Sequence, residues 1–365
     1  MAIKCGIVGL PNVGKSTLFN ALTQTAAAQA ENYPFCTIEP NVGEVAVPEP
    51  RLDAIADIAK SAQRVPARMN FVDIAGLVKG ASKGEGLGNQ FLANIRETDA
   101  ILYVLRCFED ENIAHVEGRI DPLDDYETVE TELMLADLES LEKRRANLEK
   151  KAKQGDKDTR QTLRLVDLAI AALEEGRPAR TVEIDADDAK AWRMLQLLTS
   201  KPVLYVANVD EDSAANGNAY SDRVVAHAEA EGAQAVVISA KIESELALLD
   251  VDERAEYLAE LGLDEPGLDR LIRAAYALLG LKTFFTAGPK EARAWTFQEG
   301  WTAPRCAGVI HTDFERGFIR AETTAYDDYI AHRGEQGAKE AGKVRQEGKT
   351  YQVQDGDVLL FKSNV

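Results

Sequence analysis

An α/β fold on a parallel sheet, interrupted by a helical insertion and followed by a small α+β module, is predicted by three features of the sequence. A buried-strand pattern, Ile3-Lys4-Cys5-Gly6-Ile7-Val8, runs into a glycine-bearing turn and then an apolar-periodic helix start at Leu18 and Leu22. Further apolar runs at 69–73, 100–106, 202–208 and 235–239 alternate with helical stretches, as parallel strands with crossover helices do. Between 126 and 179 the period changes to three and four, and after about residue 280 short strands return in quick succession.

The first turn reads Gly9-Leu10-Pro11-Asn12-Val13-Gly14-Lys15-Ser16-Thr17. Its strand-turn-helix setting and four fixed positions are those of a phosphate-binding loop. Two glycines let successive N–H groups face phosphate oxygens, Lys15 places a charge on the β/γ-phosphates, and Ser16 offers Mg²⁺ a hydroxyl. The helix start adds partial positive charge at the same point. A turn that merely joins strand to helix requires none of these residues.

The chain has 365 residues, 45% apolar and 28% charged, enough for two or three globular domains. No run is long enough to span a bilayer, and the N-terminus reads as strand rather than signal peptide, so a cytoplasmic protein without membrane association is expected. Cys5, Cys36, Cys107 and Cys306 lack metal or disulfide spacing and read as small buried hydrophobes in a reducing compartment. The net charge of -19 opposes whole-surface attraction to nucleic acid, DNA included. From 281 to 365, twelve Lys and Arg balance twelve Asp and Glu, so the acidity lies in the first 280 residues. A neutral module could approach RNA where the acidic body could not, and an ordinary mixed surface fits the charge equally.

After the first helix, Glu31-Asn32-Tyr33-Pro34-Phe35-Cys36-Thr37-Ile38-Glu39-Pro40-Asn41 cannot continue a helix or a central strand. Nucleotide switches place a Mg²⁺-binding Thr in such a loop, which makes Thr37 a candidate, although a Thr in an extended loop is also commonplace. A strand at 42–47 follows. The strand at 69–73 ends in Asp73, placed to hold Mg²⁺ through water, and continues to Gly76, whose N–H can reach the terminal phosphate. Gly80, Gly84, Gly86 and Gly88 make the stretch beyond a segment that can close on γ-phosphate. Leu77 stands where many GTPases carry a water-orienting Gln, and it can neither donate nor accept a hydrogen bond. Hydrolysis must therefore recruit another polar group or a partner. His115, in the polar loop after the 100–106 strand, is one of four histidines and could serve; a solvated loop histidine is the plainer reading.

Met134, Leu138, Leu141, Arg145, Leu148 and Ala152 recur at helical spacing, as do Leu163, Val166, Ile170 and Leu173 after a Gln154-Gly155-Asp156 break. Two such helices make an antiparallel coiled-coil hairpin, whose charged outer face is either solvated or a docking arm. The next strand ends in Asn208-Val209-Asp210-Glu211, where GTPases have Asn-Lys-x-Asp. Glu211 carries one methylene too many for bidentate reading of guanine, and Val209 lacks a polar end, so adenine is the better match. Ser239-Ala240-Lys241 form the base-side loop. The expected partition is a nucleotide domain over 1–125 and 200–280, a helical insertion over 126–199 and a β-grasp-like module over 281–365, with strands at 282–286, 292–297, 318–323 and 351–361 and a helix near 302–314.

These residues resemble the Obg-like ATPases of the YchF type, relatives of translation factors among the P-loop NTPases, over almost the whole chain. The likeness rests on Gly9 to Thr17, on the stretch around Thr37, on Asp73-Ile74-Ala75-Gly76-Leu77-Val78-Lys79-Gly80-Ala81, on Asn208-Val209-Asp210-Glu211 and on Asp355-Gly356-Asp357. It implies a Ras-like, Obg-type domain with a coiled-coil arm and a C-terminal TGS domain, and ATP hydrolysed in preference to GTP. Carried onto matching positions, Asn12, Val13, Gly14, Lys15, Ser16 and Thr17 wrap the phosphates, Ser16 and Thr37 bind Mg²⁺, Val209 touches the base, and His115 is the catalytic side chain. Asn12 also matches a position linked to K⁺ activation. The resemblance further implies association with the ribosome, expected at the large subunit, or with structured RNA, by a monomer. An Obg-type GTPase and an ATP-sensing ribosome- or RNA-binding module with incidental hydrolysis are the competing readings.

Overall fold

The computed structural model describes residues 3–30, 41–74, 87–110, 119–152 and 157–364. Their strands, in chain order, are β1 (Lys4–Val8), β2 (Val42–Ala46), β3 (Gln63–Val65), β4 (Arg68–Asp73), β5 (Ala100–Cys107), β6 (Val203–Val209), β7 (Gln234–Ile238), β8 (Leu281–Ala287), β9 (Glu291–Gln298), β10 (Phe318–Thr324), β11 (Arg345–Glu347) and β12 (Val358–Ser363). The chain divides into two compact units, Met1–Gly43 with Asn70–Leu271, and Glu44–Met69 with Ile272–Val365.

The first unit is organised on a six-stranded sheet of order β2-β4-β1-β5-β6-β7. β1 runs parallel to β4 and β5, β5 to β6 and β6 to β7, so the carboxyl ends of these strands share one edge. Every residue of β5 and β6 is buried. Their sequences, AILYVLRC and VLYVANV, are apolar apart from Arg106 and Asn208 because both faces of a parallel sheet are covered. That edge carries the loops from which a ligand site is built in open α/β sheets.

The helical insertion is formed by Pro122–Ala152 and Lys157–Glu174. Leu141, Val166, Ile170 and Leu173 are buried between them, with Met134, Leu138 and Leu148 packed alongside. Arg145, which sits in the apolar row by spacing, instead pairs with Asp167 of the opposite helix at 2.9 Å. The insertion's return is fastened at its root: buried Asp137 accepts from the Leu198 and Thr199 amides at 2.9 and 2.8 Å and from the Thr199 hydroxyl at 2.7 Å.

The second unit holds a mixed sheet of order β11-β10-β12-β8-β9-β3. β8 and β9 form an antiparallel hairpin, β12 is parallel to β8, and β10 is antiparallel to β12 and β11. The helix Ala303–Ile310 contributes Ala303, Cys306 and Ala307 to a core with Phe284, Phe297, Phe318 and Leu359. Two details differ from the sequence expectation. The helix near 302–314 is two helices, because His311 adopts extended backbone (φ -159, ψ 139) before Thr312–Arg316. The last strand starts at Val358 rather than near 351, because Gly356 turns the chain at φ +88 and Asp357 is held in the turn, its carboxylate accepting from the Gln354 amide at 2.9 Å and the Tyr351 hydroxyl at 2.7 Å. β3 joins this sheet by parallel pairing with β9, Arg64 opposite Ala292, which brings residues 44–69 into the C-terminal unit.

Candidate nucleotide-binding site

Three carboxyl-edge loops of the first sheet meet around the start of the helix Lys15–Ala30. The loop after β1 turns through Asn12 at φ 64 and Gly14 at φ 92, and the Leu18 amide donates back to the Gly14 carbonyl at 2.9 Å, closing the first helical turn. Gly14 is required twice over: its φ is in the left-handed region, and a Cβ there would lie 2.1 Å from Asn208 Nδ2.

Asn208, at the end of β6, ties two of the loops together. Its Nδ2 donates to the Val13 carbonyl at 2.8 Å, and its Oδ1 accepts from the Ala240 amide at 2.9 Å. Both ends of the amide are thereby spent on main chain, so Asn208 shapes the site from behind. Ala240 opens the helix Ala240–Leu246, and the Ser239 hydroxyl before it is buried without a hydrogen-bond partner among the described residues.

Lys15 is 8% exposed and its Nζ lies 2.9 Å from Asp73 Oδ1 at the end of β4. Ser16 and Thr17 are exposed on the same side. Lys15 thus pairs with a carboxylate, and the Ser16 hydroxyl lines the same cavity as Lys15. Hard oxygen donors of this kind suit Mg²⁺, which needs few protein ligands because water and phosphate oxygens complete its octahedron. Among the described residues no cluster of three or more His, Cys, Asp or Glu could hold a metal ion.

A cavity of about 740 Å³ opens beside the loop, a volume in the range of small-molecule sites. Its phosphate end is Asn12, Gly14, Lys15, Ser16 and Thr17; its far wall includes Phe108, Val209, Glu211, Ala240 and Lys241. Val209 is 2% exposed and presents only hydrocarbon. Glu211 is ion-paired with Lys241 across the mouth. The wall where a guanine-reading site offers an unencumbered Asp thus carries a longer acid already engaged by an ammonium.

Leu10, Pro11, Phe108, Glu109, Asp110 and Asp210 also line the cavity and were not among the residues singled out from the sequence for binding; Lys241, expected in the base-side loop, lines it too. Phe108 and its neighbours depend on Arg106, a 1% exposed arginine in β5. Its guanidinium donates to the Phe108 and Asp110 carbonyls at 3.2 and 3.3 Å and lies 4.7 Å from the Phe108 ring centre. An arginine inside an otherwise apolar strand was the available signal, since a buried charge must have a local use. Thr37, Gly76 and His115 lie outside the described residues, as do Cys36 and Leu77. The other three cysteines are buried, and desolvation pushes the Cys5, Cys107 and Cys306 thiols up to about 12, in keeping with apolar packing.

Comparison with known proteins places these features in context. Residues 4–134 match a family model described as a 50S ribosome-binding GTPase, and residues 281–364 match the model of the YchF-type GTPase C-terminal domain, described as a protein of unknown function. The chain is 60% identical to the ribosome-binding ATPase YchF of Pasteurella multocida over 365 residues, covering 100% of both chains. It is 56% identical over 367 residues to the protein of the same name from Bacillus subtilis, again with 100% of both covered. The solved structure of the Schizosaccharomyces pombe YchF GTPase superposes with a TM-score of 0.89 at 36% identity, covering 99% of this chain and 97% of that one.

Proposed function

The chain belongs to the YchF family of P-loop proteins, and from that premise we propose that it is a ribosome-binding ATPase, a nucleotide switch that binds and slowly hydrolyses ATP with Mg²⁺. Relatives with full-length identities of 56–60% carry the name ribosome-binding ATPase. The observation that carries the adenine preference is the base-side wall: hydrophobic Val209, and Glu211 engaged by Lys241. Guanine would have to pull that carboxylate away to satisfy its N1–H and N2–H, whereas adenine has neither group and makes no such demand on Glu211.

Lys15, released from Asp73, neutralises the β/γ-phosphates, and the amides of residues 12–17 surround them. Ser16, Thr37 and Asp73 are the proposed metal-side residues, and Mg²⁺, when bound, would offset charge on the phosphate oxygens. Asn208 holds the Val13 and Ala240 segments at fixed separation, while Val209, Glu211, Ser239 and Ala240 surround the base. Gly76 presents its amide to the terminal phosphate. His115 orients the attacking water in place of the Gln that Leu77 replaces, a role that rests on the family resemblance. Asn12, with its left-handed backbone, is the residue through which K⁺ would stimulate hydrolysis.

We further propose action at the large ribosomal subunit, in keeping with the 50S description of the matching family model, by a monomer in the cytoplasm. Among the described residues no helix is long and apolar enough to cross a membrane. The functional parts are the nucleotide domain over 1–125 and 200–280, the arm over 126–199 and the TGS domain over 281–365. A GTPase reading is favoured by the descriptions of the N-terminal family model and the yeast structure. Single-turnover hydrolysis of ATP and GTP with and without ribosomes separates the two. Faster ATP turnover, reduced about 100-fold or more by His115→Ala, is expected for a general acid–base residue; faster GTP turnover would overturn the ATPase reading.

A further inference from the structure

The outer end of the helical arm is basic in a protein that is otherwise strongly acidic. Residues 143–152 and 157–164 hold eight Lys or Arg against two acids, Glu149 and Asp158, a net charge of +6. With -19 for the whole chain, the remainder carries -25. These residues are the last turns of the helix Pro122–Ala152 and the first turns of Lys157–Glu174, so they occupy both sides of the hairpin where it turns back. From Asp137, where the arm's root is fastened to Thr199, the longer helix rises about 22 Å to Ala152 at 1.5 Å per residue, which separates this end from the root.

Part of the charge has an internal use. Lys143 pairs with Glu139 at 2.6 Å, Arg145 with Asp167 at 2.9 Å and Arg164 with Asp188 at 2.5 Å. Lys150, Lys151 and Lys157 are exposed and pair with no carboxylate among the described residues. Lys150 and Lys151 complement the negative end of the helix dipole, which explains them without a partner. That explanation fails for Lys157 and Arg160, which stand at the start of the second helix, where the dipole disfavours cations. Lys157, Arg160 and Arg164 also fall at i, i+3 and i+7, on one face of that helix. Helix stability therefore accounts for Lys150 and Lys151 and runs against Lys157 and Arg160.

We propose that this end of the arm is a docking surface for the phosphate backbone of structured RNA. The inference rests on the ribosome-binding reading and names the part of the chain that makes the contact. Exposed lysines without a fixed fork geometry read charge rather than base sequence, the pattern of backbone positioning contacts. Placing the band at the tip of a long hairpin holds the acidic body away from the polyanion, and the cost of approaching it falls with distance through ionic screening. An anionic membrane would be favoured by an apolar strip beside the cations; the described residues place only single exposed hydrophobics there, Leu168 at 40% and Met194 at 67%, the carbonyl of the latter accepting from Arg144.

The test uses full-length protein carrying Lys150→Gln, Lys151→Gln and Lys157→Gln together, with ATP hydrolysis as the check that the fold and nucleotide site are intact. Binding to purified ribosomes, to a protein-free RNA hairpin of about 20 base pairs, and to phosphatidylserine vesicles is measured across a KCl series. Affinity for ribosomes and hairpin should fall at least tenfold, and the slope of log K against log [KCl] should become shallower by about 2–3, close to one ion released per phosphate contact. Equal affinities and slopes for variant and unmodified protein on both RNA targets would overturn the inference, as would vesicle binding tighter than RNA binding. If the unmodified protein ignores ribosomes yet the hairpin still discriminates it from the variant, the arm inference stands and the ribosome reading falls.

Discussion

The ammonium of Lys15 lies 2.9 Å from Oδ1 of Asp73, joining two positions 58 residues apart at neighbouring carboxyl ends of the parallel sheet. Both side chains are largely shielded, at 9% and 19% exposure. On the proposed reading, a triphosphate would replace the carboxylate at Lys15 and leave Asp73 to the metal side of the site.

Removing either member should have different effects. Lys15→Ala is expected to abolish measurable ATP binding. Asp73→Asn should retain ADP binding in EDTA within about tenfold while losing about 100-fold in Mg²⁺-dependent single-turnover hydrolysis, the size of a lost charge-stabilising group. Equal losses in both assays would show that Asp73 serves only to order the loop.

Gly14 and Asn208 form a second linked pair. Gly14→Ala places a Cβ 2.1 Å from Asn208 Nδ2 at a backbone φ of 92. The expected cost is about 1–3 kcal/mol from the backbone alone, read as a lower urea midpoint, together with loss of ATP affinity. Asn208→Ala should weaken ATP and GTP alike, because its amide bonds main chain at both ends and discriminates neither base.

Glu243 gives a pH dependence. It is 3% exposed and accepts from the Gly267 and Leu268 amides at 2.8 and 3.2 Å. Burial outweighs those bonds and raises its carboxyl from 4.5 to about 7. The folded state thus holds this proton more tightly than the unfolded chain, so its contribution is present below pH 4.5 and is lost as pH rises through 7. The loss is on the order of 3 kcal/mol from the shift. Urea unfolding of the Glu243→Gln protein between pH 5 and 8 should show a flatter profile than the parent; an unchanged slope would assign the pH dependence elsewhere.

Arg180 anchors the arm's return to the sheet. Its guanidinium pairs with Glu130 at 2.6 Å and donates to the Tyr126 hydroxyl at 2.9 Å, while Glu130 also accepts from the fully buried Tyr103. Arg180→Met leaves Glu130 buried without its cation and is expected to destabilise the first unit by about 3–5 kcal/mol. Thermal unfolding followed by circular dichroism measures this; a loss under 1 kcal/mol would mean that the site admits water.

The loop at 9–17 was legible because its chemistry is local: glycine freedom, a lysine and a hydroxyl at fixed spacing between a strand and a helix. The strands β5 and β6 were legible for the same reason, as apolar runs with a single polar residue each. What sequence concealed depends on long-range contact. Asn208 reads as a base-recognition residue until its bonds to Val13, 195 residues away, are seen. Asp355-Gly356-Asp357 stood out only by resemblance; folded, Asp355 accepts from the Thr283 amide at 2.9 Å and from Arg51 Nη1 at 2.8 Å, across 304 residues, so its role is to fix a turn. β3 is three polar-flanked residues without a strand pattern, and only its pairing with β9 makes it one.

The most direct measurement is equilibrium titration of ATP and GTP, with Mg²⁺, into the unmodified protein and into the Val209→Lys, Glu211→Asp double variant. Tighter binding of ATP by the unmodified protein, with preference moving toward GTP by tenfold or more in the variant, is the expected result. Tighter GTP binding by the unmodified protein, or a preference that the variant leaves unchanged, would contradict purine selection by the wall of Val209, Glu211 and Lys241.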